Sequence, residues 1–178
     1  MNTTLRTTRL LLRPYTPEDI PALLPLIGAR EVAATTLRIP HPYTQAEAEE
    51  FIRRAQAGSD DSVRFAVEIK ASSTLIGGVG LRLDPAHHHA ELGYWIGVPY
   101  WGNGYATEAA RALLLHGFND LKLHRIHASH FSNNPASGNV LRKLGMRSEG
   151  YMRGHILKWG EYRDLELFGM LKDDVASE

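Results

Sequence analysis

A glycine-rich loop between a strand-like run and a helix-like run is the feature that most constrains how this chain folds. Ala90–Val98 alternates apolar side chains as a half-buried strand does, and the apolar spacing becomes helical after Gly104. The glycines in Tyr100–Thr107 let backbone N–H groups approach a ligand closely, and the N-terminus of the next helix adds partial positive charge. The segment therefore predicts either a plain strand-to-helix turn or a cradle for an anionic group.

Two common phosphate-binding motifs do not fit this loop. A P-loop requires Gly-Lys followed by Ser or Thr, and the loop contains no such triplet. The dinucleotide fingerprint requires a third Gly or Ala, and that position falls on Thr107. A protein that binds nucleotide phosphates through this loop is thus the least favoured of the functional interpretations.

The apolar pattern along the chain predicts about seven strands and about four helices. The strands are expected at Arg9–Arg13, Val63–Lys70, Leu75–Leu83, Ala90–Val98, His124–His130, Met146–Met152 and Leu165–Leu171. The helix starts are expected at Thr16, Thr44, Gly104 and Asn134. Three successive strands favour an antiparallel meander, whereas the later strand–helix–strand units favour parallel pairing. The order β-α-α-β-β-β-α-β-α-β-β therefore predicts an α/β (α+β) fold with a mixed, mostly antiparallel sheet and helices on its faces.

Length and composition favour one domain without a metal or disulfide staple. The chain has 178 residues, 43% of them apolar, and no cysteine. A chain of this size buries about 70% of the surface that its unfolded form exposes, so one core suffices. The lack of cysteine excludes a thiolate nucleophile and a Cys-based zinc site, and it fits a reducing cytoplasm.

The charge balance argues against two classes of partner. The 20 basic and 20 acidic residues give a formal charge of zero, whereas general nucleic-acid binders carry a basic excess. No window approaches the roughly 20 apolar residues of a membrane span, and the N-terminal residues lack the apolar core of a signal peptide. We expect a cytoplasmic protein that binds neither nucleic acid nor membrane.

Four segments in this order and at this spacing resemble the GNAT superfamily of N-acetyltransferases. They are Arg6–Leu23, Glu91–Phe118, Asn133–Gly150 and Glu161–Leu171, which together span nearly the whole chain. Within that superfamily they are most similar to the branch of ribosomal-protein N-terminal (alanine/serine) acetyltransferases. The resemblance implies a single GNAT domain over residues 1–178, acetyl-CoA as cosubstrate, a primary amine as acceptor and no metal. It also allows a homodimer, since dimers are common in that branch.

The resemblance further implies which residues hold the cofactor. In the family, the strand before the loop separates from the next strand, and the pantetheine arm of CoA lies in the gap. The implied cofactor-binding residues are Ile96, Val98, Trp101, Gly102, Asn103, Gly104, Tyr105, Ala106 and Asn134. Trp101 stands where many members have Gln or Arg, so the loop is expected to hold the pyrophosphate mainly through backbone N–H groups.

The catalytic residues follow the family pattern less closely. A tyrosine that often acts as the general acid falls on Leu141 in this chain, and Ser137 is the nearest residue able to replace it. Glu91 matches the position of a frequent GNAT base, and a carboxylate can accept the amine proton through water. Each has a purely structural alternative, because Glu91 could be a solvated strand-end carboxylate and Asn134 is explained as a helix N-cap.

Other candidate groups are weaker. His87, His88 and His89 follow a turn, and adjacent histidines there point apart, which suits metal chelation poorly. Glu108 is explained as an acidic residue in the first turn of a helix. Thr35–Tyr43 and Tyr151–Tyr162 are expected to line the amine entrance, where the mixture of charges does not favour a polycationic acceptor.

Two functions remain open from the sequence. The first is acetyl transfer from acetyl-CoA to a primary amine, which could be a protein N-terminal α-amine, a small metabolic amine or an antibiotic. The second is a non-catalytic acyl-CoA sensor of the same fold, which Leu141 motivates. A catalytic drop in Glu91→Gln or Ser137→Ala separates the two.

Overall fold

A computed structural model describes residues 3–57 and 61–175 of the chain. The strands are β1 (Leu5–Arg6), β2 (Leu10–Arg13), β3 (Ser62–Ile69), β4 (Thr74–Asp84), β5 (His89–Ile96), β6 (Arg125–Phe131), β7 (Arg147–Lys158) and β8 (Glu161–Leu171). The helices are α1 (Ile20–Ile27), α2 (Arg30–Thr35), α3 (Gln45–Ala57), α4 (Tyr105–Asn119), α5 (Pro135–Lys143) and α6 (Lys172–Val175). Short 3-10 turns occupy Pro17–Asp19 and Val98–Tyr100.

One mixed sheet contains all the described strands, in the order β1-β2-β3-β4-β5-β6-β8-β7. Neighbours are antiparallel except β5 and β6, which run parallel because α4 crosses between them. The predicted fold class is confirmed. The sheet has eight strands rather than about seven, because the N-terminal segment folds back at Thr7 to pair Leu5 with Leu12. The two helices missing from the prediction, α2 and α6, are each under two turns long.

Each face of the sheet carries its own apolar core. On one face, α4 and α5 bury Leu113, Phe118 and Leu141 against the strands. On the other face, α1 to α3 bury Leu23 and Ile52 together with apolar strand side chains. Full burial of one such side chain contributes roughly 1.5–3 kcal/mol. Helices therefore cover both faces of the sheet. No helix in the described ranges is long and apolar enough to cross a membrane.

The two parallel strands separate in the middle of the sheet. β5 and β6 pair only at His89 with Arg125, Ala90 with Ile126 and Glu91 with His127. Beyond Glu91, β5 remains paired with β4 in unbroken register, while β6 remains paired with β8 up to Phe131. A wedge-shaped gap therefore opens between the C-terminal halves of β5 and β6, and this gap positions the candidate site.

Candidate active site

Backbone groups of β5 line one side of the gap. The N–H of Gly97, the residue after β5, donates to the Ile76 carbonyl at 2.8 Å. The backbone groups of the odd-numbered residues of β5 therefore point toward β4. Because backbone groups alternate in direction along an antiparallel strand, those of Tyr94 and Ile96 face the gap. The Ile96 carbonyl accepts the indole N–H of Trp101 at 2.6 Å. The Ile96 N–H is therefore the backbone donor that this strand end offers to the gap.

Val98 and Trp101 differ from their expected placement. Val98 was expected to continue the strand, but the strand ends at Ile96 because Pro99 cannot donate to a ladder, and Val98 begins a 3-10 turn. The Trp101 backbone N–H donates to the Val98 carbonyl at 3.2 Å within that turn. Both N–H donors of Trp101 are thus used inside the fold.

The loop that follows has the backbone of an anion cradle. Gly102 and Gly104 adopt φ of 77° and 78°, in the left-handed region that favours glycine. The Asn103 side chain fixes the loop by donating to the Tyr100 carbonyl at 3.2 Å. Helix α4 begins at Tyr105, and the N–H groups of its first turn, including Ala106, have no intrahelical acceptor. Exposed backbone donors therefore converge at the N-terminus of a helix of 15 residues.

Arg9 adds a cation beside this loop, and sequence reasoning missed it. Its guanidinium donates to the Asn103 carbonyl at 3.0 Å, bonds Glu108 at 2.6 Å and lies 4.6 Å from the centre of the Tyr105 ring. Burial opposes the ionisation of Glu108, but hydrogen bonds from Thr7 and Arg9 lower its pKa. The first-turn acid thus has a structural role, since it ties the N-terminal hairpin to α4. No local pattern could reveal a contact between residues 99 positions apart.

Helix α5 places Ser137 on the opposite side of the gap. Asn134 is the N-cap, and its Oδ1 accepts the Ser137 N–H at 3.3 Å. Its Nδ2 donates to the Thr35 carbonyl at 3.4 Å, which joins α5 to the end of α2. Leu141 is fully buried in the core and supplies no polar atom. Of the two positions that the resemblance links to a general acid, Ser137 carries a hydroxyl and Leu141 does not.

Tyr94 reaches across the gap to Ser137. The two hydroxyl oxygens lie 2.7 Å apart, and the phenol also lies 3.2 Å from the Ser137 carbonyl oxygen. Burial raises the pKa of Tyr94 to about 12, against a smaller opposing effect of the Ser137 hydrogen bond, so the phenol stays protonated at neutral pH. Sequence reasoning treated Tyr94 as one of the apolar strand residues. The sequence does hold a signal for this role, because a tyrosine, an aromatic residue with a hydroxyl, lies on the strand that borders the predicted gap.

Glu91 lies where β5 and β6 begin to separate. Its Oε2 accepts from Arg38 at 2.8 Å and from Arg82 at 2.5 Å, and its side chain is 16% exposed. Burial alone would raise the pKa of Glu91, but the hydrogen bonds and charges of Arg38 and Arg82 lower it overall. The carboxylate is therefore ionised at neutral pH, and all of these contacts use one of its two oxygens.

A cavity of about 880 Å³ is lined by residues from both faces of the sheet, but loop residues 102–106, Ile96 and Asn134 are not among them. Glu91, Tyr94, Ser137 and Leu141 contribute to its lining from the strands and α5. Residues of α3 and the preceding segment line it from the other face, with Thr35–Ile39 among them. This volume lies in the range of small-molecule sites. Two reactants could enter from opposite faces and meet in the gap.

The second predicted acceptor segment has a different role. Tyr151–Tyr162 does not line the cavity, in contrast to the expectation, because β7 lies at the edge of the sheet. It supports the lining from outside, since Lys158 donates to the Ile39 carbonyl at 3.0 Å. Two acidic residues at the start of β8 are already engaged, because Glu161 is paired with Arg163 and Asp164 accepts the Tyr151 hydroxyl at 2.5 Å.

The histidine tract lies in the turn between β4 and β5. The His87 and His89 rings stack with centroids 5.7 Å apart, and His88 has φ of 51°. Across residues 3–57 and 61–175, no cluster of three or more His, Cys, Asp or Glu side chains is placed to hold a metal. The tract lies at the paired end of β5, away from the gap.

Comparisons with known proteins agree with this geometry. The sequence matches the Acetyltransferase (GNAT) domain family over residues 9–147. It is 31% identical over 169 residues to the uncharacterized N-acetyltransferase YnaD of Bacillus subtilis, which covers 94% of this chain and 96% of that protein.

Two further similarities cover the ribosomal branch and the fold. The chain is 34% identical over 87 residues to the ribosomal protein uS5 alanine N-acetyltransferase of Escherichia coli, covering 49% of this chain and 45% of that protein. A GNAT-family acetyltransferase structure from Bacillus anthracis superposes with a TM-score of 0.87 at 28% identity, covering 96% of this chain and 99% of the other. The gap between β5 and β6, the glycine loop before α4 and these matches show that the chain belongs to the GNAT family of N-acetyltransferases.

Proposed function

We propose that this acyltransferase moves the acetyl group of acetyl-CoA to a primary amine by direct attack in a ternary complex. The observation that carries the proposal is the cavity that joins both faces of the sheet through the gap between β5 and β6. The chain has no cysteine, which fits direct attack without a cysteine acyl intermediate.

In this proposal the cofactor occupies the gap and the loop. The Ile96 N–H faces the pantetheine arm, and the Gly102 to Ala106 backbone holds the pyrophosphate at the start of α4. Arg9 supplies the nearby positive charge that Trp101 cannot. Asn134 acts mainly by holding α5 in place, since both ends of its amide are already bonded within the fold.

The amine must lose a proton before or during attack. An α-amine, with a pKa of about 7.7–8, is partly neutral at pH 7, whereas a lysine-like amine is almost fully charged. In the proposal, the ionised Glu91 accepts that proton through water. The partial match to the uS5 alanine acetyltransferase supports a protein N-terminal α-amine as one acceptor.

Collapse of the adduct then releases the CoA thiolate. The nitrogen bonds to the carbonyl carbon and releases its second proton to water, the carbonyl oxygen is stabilised by a strand N–H at Tyr94 or Ile96, and the C–S bond breaks. Ser137 donates a hydrogen bond to the departing sulfur. The single hydrogen of the Tyr94 phenol has two acceptors, the Ser137 carbonyl at 3.2 Å and Oγ at 2.7 Å, and donation to Oγ would orient the serine and leave its own hydrogen free.

Glu91→Gln tests whether the chain is a catalyst. We expect kcat for amine-dependent CoA release to fall by about 10-fold, because a neutral amide cannot accept the proton. The assay is thiol release from acetyl-CoA with a panel of amines. Glu149→Gln is the matched control, since Glu149 is also paired with an arginine, Arg125, but lies outside the cavity. Equal rates for Glu91→Gln and the parent, with CoA binding intact, would favour the acyl-CoA sensor instead.

Arg38→Ala should shift the pH dependence of the reaction. Arg38 lowers the pKa of Glu91, so its removal raises that pKa, and the carboxylate becomes protonated at a higher pH. We expect the acid limb of kcat/KM to move up by about 0.5–1 pH unit, less at high salt because Arg38 is exposed. A pH titration of kcat/KM at low and high salt measures this. Arg125→Ala is the control. An unchanged acid limb in Arg38→Ala would show that Glu91 is not the group whose protonation produces that limb.

A further inference from the structure

We infer that the acceptor half of the cavity selects a primary amine carried on a flat apolar body, such as an aromatic ring, over a polyamine. This inference rests on the proposed acetyl transfer and adds the class of acceptor. It is carried by the bare backbone floor of the cavity, by its aromatic walls and by the pairing of its charges.

The floor of the acceptor half is a strip of glycine backbone. Gly80 of β4 pairs directly with Gly93 of β5, and the next pair along the same face is Arg82 with Glu91. A Cβ atom placed on Gly93 would meet nothing within 4 Å. The space over Gly80 is closed by the Val63 carbonyl and the Arg64 side chain, so the open part of this surface is the position over Gly93, beside the proposed base.

The walls around this floor are largely aromatic and aliphatic. The apolar residues that line this half include Leu37, Ile39, Tyr43, Phe51 and Trp95. Phe51 packs edge-on against Tyr15 with ring centroids 5.0 Å apart, which holds the wall in place. Aromatic pairs with such offset or edge geometry contribute about 0.5–1.5 kcal/mol beyond the area they bury. A flat ring on the glycine strip would contact these side chains.

One buried polar atom also lies at this end of the cavity. The Tyr15 hydroxyl makes no hydrogen bond of ordinary geometry within the described residues, but the Trp95 indole N–H lies close enough to interact with it, and the side chain is almost completely buried. It lies directly over Gly78, where a Cβ atom would come within 2.0 Å of the phenol oxygen. Buried polar groups rarely remain unpaired, so an acceptor with a polar group on its ring is compatible with this end.

The charges of the cavity do not suit a polycation. Its lining contains four arginines and three glutamates. Glu91 is bound by Arg38 and Arg82, and Glu50 is bound by Arg53 and Arg54. The third, Glu47, accepts from the Thr44 N–H at 2.6 Å in a capping box. To bind its second ammonium group, a polyamine would have to compete with arginines at Glu91 and Glu50, or with the Thr44 N–H at Glu47.

The test compares acceptors on the full chain with acetyl-CoA. We expect kcat/KM for phenethylamine to exceed that for spermidine and n-butylamine by about 10-fold or more, because its ring contacts the glycine strip and the aromatic side chains of the cavity. Peptides that begin with Phe or with Ala are assayed as well. They show whether the aromatic ring belongs to the N-terminal residue of a peptide or to a free amine. Preference for spermidine, or equal use of phenethylamine and n-butylamine, overturns the inference.

Gly93→Val provides the structural arm of the test. Its side chain enters open space, so folding is retained, but it covers the floor. We expect KM for phenethylamine to rise about 10-fold, with n-butylamine and the Kd for CoA changed less than about 2-fold. Gly150→Val in exposed β7 is the matched control. An equal rise for both amines contradicts the role of the floor.

A binding measurement separates this inference from the proposed function. Phenethylamine and spermidine are titrated into the CoA-saturated protein by calorimetry. Tighter binding of phenethylamine without turnover of any amine supports the acceptor site and rejects catalysis. Turnover with spermidine as the better substrate supports catalysis and rejects the inferred preference for an aromatic amine.

Discussion

Ser137→Ala is expected to lower kcat for acetyl transfer by about 100-fold while the Kd for CoA changes by less than about 2-fold. The serine hydroxyl bonds Tyr94 at 2.7 Å inside the gap. Removing it leaves the departing thiolate without the serine donor, while the buried phenol of Tyr94 keeps the Ser137 carbonyl as its acceptor. The effect is confined to the chemical step because the Ser137 backbone N–H, which Asn134 caps, is retained.

Three further single variants and one double variant test whether the effect is specific to the Ser137 hydroxyl. Ser137→Thr keeps a hydroxyl and should recover most of the rate, whereas Ser132→Ala removes a hydroxyl outside the cavity and should have no effect. Tyr94→Phe should lower kcat by a smaller factor, about 10-fold, since the phenol acts through the serine. The double variant should be no slower than Ser137→Ala, which stopped-flow thiol release can measure. Independent, additive effects would show that the two hydroxyls do not work as one unit.

Gly102→Val is expected to raise the Kd for CoA by about 100-fold, the equivalent of losing two charge-assisted hydrogen bonds of about 1.5 kcal/mol each. Gly102 has φ of 77°, and a Cβ there would meet nothing within 4 Å. A β-branched residue resists this conformation and projects a side chain toward the anion. The loop backbone then loses its approach to the pyrophosphate.

Gly160→Val controls for the backbone strain. Gly160 has φ of 81° and the same open surroundings, but it lies in the turn between β7 and β8. Both variants should lose similar stability in urea unfolding, so a difference in the Kd for CoA isolates the loop. If the two variants bind CoA equally, the pyrophosphate is held elsewhere, and Arg9 becomes the first candidate.

The sequence predicted features that depend on local chemistry. The strand-to-helix switch at Gly104 and the N-cap at Asn134 follow from short patterns, and both appear in the structure. The Tyr94–Ser137 contact and the Arg9 contact with the loop were not predictable, because each joins side chains distant in sequence. Val98 was misplaced because an apolar strand pattern continued past the point where Pro99 ends the ladder.

Candidate site residues were harder to predict than the fold for a related reason. Glu91 was correctly placed at the entrance to the gap, but its pairing with Arg38 depends on a segment between α2 and α3 that has no periodic pattern. Burial opposes ionisation of Glu91, and that pairing, together with Arg82, lowers the pKa of the carboxylate overall. Sequence motifs therefore locate the strands and the helix that border the gap, whereas long-range contacts set the surroundings of its side chains.

The strand pairings on either side of the wedge have a kinetic consequence. β6 is paired with β8 at every position from Arg125 to Phe131, and β5 is paired with β4 along its full length. Closing the wedge would require one of these ladders to break or to move as a block. The opening therefore exists before any ligand arrives, and we expect CoA to dock into a preformed slot without waiting for a strand to rearrange. Its association rate should then be limited by encounter and orientation rather than by a conformational step.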